Sequence, residues 1–259
     1  MLGSQRTRLA LVIVIAAIIC LGVVTPAQSL MLVSRADEVK IGQQVEQEVI
    51  KQYGGLSKDQ AVVGRVQRVG KKVAAVSPRQ DVTYTYKVLN SNVINAFAAP
   101  GGPVLITKRL ATMLSTDDEL AFVLAHETGH IVAQHGRKAI NRALIAQGLA
   151  SLLFRKAKDS LKIGMNIMYT LYSSGYSRDQ EYQADFYGVD LMGKAKHDRE
   201  GAVKALAKLG MKRAKGINKY LATHPDVPDR IGRVSEMSGI SKERQEVLTK
   251  EAQAENEAQ

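Results

Sequence analysis

The sequence predicts an α+β fold that is mostly helical, with one small three-stranded sheet. Three observations carry this. Apolar residues recur at helical spacing through most of the chain, and several of these stretches open on a capping residue. The spacing drops to two only between Val82 and Thr107, where it fits strands. Within that stretch, Pro100-Gly101-Gly102-Pro103 is a tight-turn sequence.

The elements follow in order. Arg6 and Arg8 precede an uninterrupted apolar run from Leu9 to Val24, and Thr25 to Ser29 follow. A basic start, an apolar middle and a small polar end make the pattern of an export signal, with Ala27 and Ser29 as small residues for cleavage. Left uncleaved, residues 1–30 form a single membrane anchor, although sixteen apolar residues fall short of the ~20 a span needs. In both cases the basic flank holds the N-terminus in the cytoplasm and sends the rest across.

Val39, Val45, Val49 and Ile50 mark one face of a helix from Ala36 to Tyr53, ended by Gly54-Gly55. Ser57 with Gln60 reads as a capping box that opens a second helix, with a stripe of Val62, Val63, Val66, Val69 and Val73 as far as Pro78. Val82, Tyr84, Tyr86 and Val88 alternate with polar residues as a strand. Val93 to Ala98 is a second strand and Val104 to Thr107 a third. Thr116 with Asp117, Asp118 and Glu119 is another capping box, with acids at the positive end of the helix dipole. That helix is expected to reach about His135 and to stop at Gly136.

Residues 139–154 and 159–173 are apolar and helical in spacing, and Ala143 to Phe154 is too short to span a bilayer. Ser177 with Gln180 is a third capping box, for a helix through Asp190. Ala202, Val203, Leu206 and Leu209 form one face of a basic helix. The tail, 241–259, is polar and expected to fray, which leaves 31–240 as the folded domain.

Charge and cysteine content narrow the function classes. There are 36 Lys and Arg against 25 Asp and Glu, a net +11. Nine of the basic residues fall between Lys194 and Lys219, opposed only by Asp198 and Glu200. With no Trp and four Phe there is little to stack on bases, so no nucleic-acid partner is expected. The surplus reads as a solvated face, or one leaning on an anionic membrane. The single Cys20 lies in the N-terminal apolar run. A disulfide scaffold, a thiolate zinc cluster and a cysteine nucleophile are thereby excluded.

His126-Glu127-Thr128-Gly129-His130 lies in the middle of the helix that Thr116 caps. Residues four apart share a helix face, so both imidazoles can reach one metal. Glu127 is displaced by ~100°, which sets its carboxylate beside the metal, within reach of a proton on an attacking water. Leu120 to Ala125 before the motif and Ile131 to Ala133 after it are apolar, so the helix is buried. Buried imidazoles and a buried carboxylate need partners, and zinc satisfies all three; backbone carbonyls are the alternative for the histidines. A third ligand is required. His135, His197 and His224 are candidates, as are Glu181 and Asp185, four apart on the third capped helix. Glu181 can complete the metal shell while Asp185 accepts a hydrogen bond from a ligand imidazole; a surface ion pair is the alternative for these two.

These residues resemble the HtpX/CAAX-prenyl-endopeptidase family of zinc metallopeptidases, metallopeptidase family forty-eight, which are gluzincins. The resemblance runs from about Glu38 to Gly239 and rests on four motifs in order. Asn95 to Gly102 resembles the family's substrate-side strand and turn, and His126 to His130 its zinc helix. Ser174 to Asp185 resembles the third-ligand helix, and Thr223-His224-Pro225 with Asp229-Arg230-Ile231 the late His-Pro and Arg motif.

The resemblance implies one Zn2+ per chain held by His126, His130 and Glu181, with Glu127 as general base and the small sheet beside the zinc helix. It implies an active-site role for His224, either stabilising the oxyanion or occupying the open metal position, and an orienting role for Arg230. Substrate is expected to lie extended along Asn95, Ala96, Phe97 and Ala98, paired by backbone hydrogen bonds. His135, ~140° around a continuous helix from His130, is expected to face the helix end, and His197 to face solvent. CAAX-type and HtpX-type members carry several membrane segments; this chain shows one and looks more like single-segment envelope proteases. The expected function is a zinc endopeptidase acting on misfolded or unfolded polypeptides in a bacterial periplasm or cell envelope. It would touch the membrane only through an uncleaved N-terminal segment. The alternative is a chaperone-like envelope factor with a largely closed zinc site.

Overall fold

A computed structural model describes residues 31–146, 166, 175–210, 219–225 and 227–258. The expected export signal or anchor, the later part of the 139–154 segment and nearly all of 159–173 lie outside the described residues. No helix among the described residues is long and apolar enough to cross a membrane.

Helix α1 (Arg35–Gln52) starts where the Ser34 hydroxyl accepts the Asp37 N–H. Helix α2 (Gln60–Ala75) starts at Asp59, whose carboxylate accepts the Val62 N–H. The expected Ser57–Gln60 capping box does not form. Ser57 N–H instead donates to Val88 O at 2.8 Å, and Leu56 bridges Leu89, so this segment is held extended beside the sheet.

The sheet has the order β1-β3-β2. Strand β1 (Thr85–Leu89) runs parallel to β3 (Pro103–Thr107), with Thr85 opposite Pro103 and Leu89 opposite Thr107. Strand β2 (Ala96–Ala98) is antiparallel to β3, with Phe97 opposite Leu105. Strands β1 and β2 are shorter than the alternation predicted; Val82 and Val93 stand outside them. Central β3 is buried throughout, which explains why Val104-Leu105-Ile106 does not alternate. At the turn before β3, a Cβ on Gly102 would stand 2.1 Å from Thr83 O, and Gly102 has φ 130°.

Helices cover both faces of the sheet. Leu89, Phe97 and Leu105 pack with Ile41, Val45 and Val49 of α1. Val88, Ala96, Val104 and Ile106 pack with Val66, Val69 and Val73 of α2 and with α4 (Asp117–Val132), which the short α3 (Lys108–Met113) precedes. Helix α4 has thirteen buried residues, Glu119 to Ile131 without a break, as its all-round apolar sequence requires. At its start Thr116 Oγ1 accepts Glu119 N–H at 3.2 Å. The Glu119 carboxylate does not return the bond to Thr116; it takes the Ser115 N–H and the Lys208 ammonium.

Helix α4 ends sooner than expected. Ala133 closes it, Gln134 adopts φ 58°, and α5 (His135–Ala146) begins at once with Gly136 inside it. Helix α6 (Arg178–Lys194) packs against α4 and runs four residues beyond the expected end. Next come α7 (Glu200–Gly210), α8 (Tyr220–Thr223), α9 (Val227–Ser238) and α10 (Lys242–Glu257).

The tail expected to fray is therefore helical, and it packs on α7 through buried Leu248 and Ala252. Lys204 meets Glu251 at 2.6 Å. Lys208 is fully buried between Glu119 at 2.8 Å and Glu255 at 2.6 Å. Lys204 and Lys208 are thus drawn into pairs with α10, while Lys194, Lys196, Arg199 and Lys219 stay exposed, as the expected solvated face requires. His197 is likewise buried, its Nδ1 2.8 Å from Asp118 Oδ1, where solvent exposure was expected.

Candidate active site

The site is assembled from α4, α6 and the chain after α8. Ser177 and Gln180 form the expected capping box, which fixes the first turn of α6 and places Glu181 within it. Tyr176 N–H donates to Thr223 O at 3.1 Å and ties that start to the segment carrying His224. Glycine permits the close crossing of α4 and α6: a Cβ on Gly129 would lie 2.9 Å from Ala184 O and 2.9 Å from Tyr187 Cβ.

Four donor groups converge as a result. His126 Nε2 and His130 Nε2 stand 3.1 Å apart. Glu181 presents Oε2 at 3.6 Å from His126 Nε2 and Oε1 at 3.5 Å from His130 Nε2. His224 Nδ1 lies 3.0 Å from Glu181 Oε1 and 3.3 Å from His126 Nε2. The ligand atoms of these four buried residues all lie within 4.8 Å of one another.

Burial lowers the pKa of all three imidazoles, most strongly His130 and His224, so they stand neutral with lone pairs available. Glu127 is fully buried and neither carboxylate oxygen has a hydrogen-bond partner among the described residues; His224 Nε2 stands 3.3 Å from Oε1. Burial, with Glu181 nearby, pushes its pKa well up, while Arg230 pulls it down. Three imidazoles and a carboxylate facing one another, beside an unpartnered buried carboxylate, fit a divalent cation of the zinc type.

Two further layers hold the donors. Asp185 Oδ1 lies 2.9 Å from His126 Nδ1, and Arg230 binds Asp185 with two bonds of 2.7 Å. Arg230 also places Nη1 2.8 Å from Glu181 Oε2. Burial raises the Asp185 pKa, but the charge and hydrogen bonds of Arg230 outweigh it and hold Asp185 down at about 2. The surface ion pair considered for Glu181 and Asp185 is excluded, since both are buried.

Sequence reasoning placed His135 at the helix end, away from His130, and the structure corrects this. His135 stands beside His130, Nδ1 to Nδ1 at 2.8 Å, and its Nε2 lies 2.9 Å from Gln183 Oε1. The expected ~140° separation assumed one continuous helix, and the left-handed Gln134 breaks it. Tyr176, stacked on His130 at 3.8 Å, and Tyr220, stacked on His224 at 4.2 Å, were missed. Tyr220 opens the short α8, whose C-cap is His224.

Asn95 to Ala98 lie buried in and beside β2, which packs against α4. Asn95 Nδ2 donates to Tyr53 Oη, and its Oδ1 accepts the Ala96 N–H. Phe97 packs edge-on against Tyr53 with ring centroids 5.0 Å apart.

Comparison with known proteins gives one family. A mitochondrial metalloendopeptidase OMA1 of Schizosaccharomyces pombe is 33% identical over 209 residues, covering 77% of this chain and 60% of that protein. The Arabidopsis thaliana protein of the same name is 29% identical over 167 residues, 64% of this chain and 34% of that protein. The metalloprotease LoiP of Escherichia coli is 28% identical over 151 residues, 56% of this chain and 59% of that protein. The chain thus spans between about a third and 60% of the length of these relatives. The family model described as "Peptidase family M48" matches residues 60–238, which carry all four converging donors and Glu127, and the chain belongs to that family.

Proposed function

We propose that this protein is a zinc-dependent endopeptidase that hydrolyses peptide bonds in unfolded or misfolded polypeptides. The observation that carries this is the convergence of His126, His130, Glu181 and His224 on one point beside the unpartnered Glu127. His126, His130 and Glu181 would hold one Zn2+, with the Asp185–Arg230 pair fixing His126 through its other ring nitrogen. Bound there, zinc would polarise the scissile carbonyl and make water a stronger nucleophile at neutral pH.

Glu127 acts as the general base. It accepts a proton from the attacking water and delivers it to the leaving amine. Its upward-shifted pKa makes it a better acceptor than an exposed carboxylate. His224 stands among the donors with a ring nitrogen at 3.0 Å from Glu181, where it would either occupy the open metal position or stabilise the oxyanion.

The substrate is read as an extended segment alongside Asn95, Ala96, Phe97 and Ala98. The position of β2 at the outer side of the sheet and against α4 supports this. The basic, apolar, small-polar order of residues 1–30 supports export, with the catalytic part outside the cytoplasm and residues 1–30 as its membrane attachment if uncleaved.

The test is Glu127→Gln. Casein cleavage by the zinc-loaded chain is expected to fall by about 10²–10⁴-fold with one zinc still bound. Parent-level cleavage in that variant overturns the assignment.

A further inference from the structure

We infer that His135 is a positioning residue for the metal ligand His130, with Gln183 fixing the protons of the pair. The inference rests on the reading of His130 as a zinc ligand.

The geometry leaves one arrangement of protons. His130 Nε2 faces His126 Nε2 at 3.1 Å and Glu181 Oε1 at 3.5 Å, so its lone pair must stay free for a cation and its proton sits on Nδ1. That proton points at His135 Nδ1, 2.8 Å away, which must therefore accept. His135 then carries its own proton on Nε2 and donates it to Gln183 Oε1 at 2.9 Å. Both ring N–H groups then have an acceptor, and the chain ends on a neutral amide.

Helix α6 thereby supplies three alternate residues to one centre. Glu181 enters it, Asp185 backs His126, and Gln183 backs His130 through His135. The two ligand histidines differ in what stands behind them: a charged Asp185–Arg230 pair behind His126, a neutral imidazole and amide behind His130. Reaching this arrangement requires the break at Gln134, which has φ 58° and whose side-chain oxygen accepts from Arg137 Nη1 at 3.1 Å. A continuous helix would carry His135 ~140° away from His130. A left-handed glutamine is uncommon, and here it turns the ring back onto a ligand.

The experiment measures zinc affinity of the full chain by competition with a chromophoric chelator, alongside thermal unfolding of the metal-free forms. His135→Phe keeps a ring but removes the acceptor, and zinc binding is expected to weaken about 10–100-fold. Gln183 is exposed, so its variants fold independently of the outcome. Gln183→Leu is expected to weaken zinc several-fold, while Gln183→Glu, which keeps an acceptor, stays at or above the parent. Parent-like affinity in both His135→Phe and Gln183→Leu overturns the proposal, as does equal loss in Gln183→Leu and Gln183→Glu. Nitrogen-15 spectra of the zinc-loaded imidazoles give a separate readout: protons on His130 Nδ1 and His135 Nε2 are expected, and the opposite placement overturns it. A parent chain that binds no zinc removes the ligand reading itself, a result the variants do not mimic.

Discussion

His224 lies within 3.3 Å of His126, Glu181 and Glu127, and Tyr220 stacks on its ring at 4.2 Å. If this ring occupies the open metal position, it must leave before a substrate carbonyl can enter. His224→Ala is expected to raise casein cleavage several-fold at saturating zinc; a comparable fall assigns the ring to transition-state stabilisation instead. At this scale the sequence was readable where placement depends on spacing within one helix. His126, Glu127 and His130 follow from the i, i+4 geometry of α4, and Asp185 from the same spacing to Glu181 on α6. It was unreadable where a role depends on a break in the backbone. His135 sits five residues after His130, and only the left-handed Gln134 brings the two rings together.

Among elements, the crossing of α4 and α6 decides whether the site exists at all. Gly129, inside the His126–His130 motif, has Ala184 O and Tyr187 Cβ each 2.9 Å from where its own Cβ would be, while Gly188 meets Phe122 less closely, at 3.1 Å. Gly129→Ala must push the helices apart, because the obstructing atoms include backbone. A loss of about 1–3 kcal/mol in urea unfolding is expected, together with weaker zinc binding as Glu181 withdraws from the histidines. Loss of stability with zinc affinity intact would show that the site tolerates a wider crossing. Of the three capping boxes the sequence predicts, only Ser177–Gln180 forms in full. Ser57 is drawn away by the pairing of its N–H with β1, and Glu119 by Lys208 and Ser115. Local capping signals hold until a tertiary partner offers the same atoms a better bond.

For the molecule as a whole, some of the basic residues are paired with glutamates along α7 and α10. Hydrogen bonds from Lys208 to Glu255, Lys204 to Glu251 and Arg244 to Glu200 lower the pKa of each carboxyl. A lowered pKa means the folded state binds fewer protons than the unfolded state. The stabilisation is therefore complete above the ordinary glutamate range of ~4.3 and is lost as pH falls below it. Acidifying from pH 6 to 3 is expected to detach α10 first, read as loss of amide-exchange protection at Leu248 and Ala252 before β3. Protection that is lost from both together would mean α10 folds as one unit with the sheet. Lys208 is buried between two carboxylates, so Glu119→Ala leaves Glu255 as its partner and is expected to destabilise the chain by about 1–3 kcal/mol in urea unfolding.

Periodicity, turn residues and the His126–His130 spacing determine, from the sequence alone, a mostly helical α+β chain with a buried metal-type motif, because these signals arise within one element and survive any packing. The tertiary structure decides which distant groups complete the site: Glu181, His224, Arg230 and the His135–Gln183 pair meet His126 and His130 only after α4, α6 and α9 have packed. It also decides the fate of charge. Lys208 reads as solvated until Glu119 and Glu255, 89 and 47 residues away in sequence, enclose it. Burial and pairing are properties of neighbours in space, and a sequence lists only neighbours along the chain.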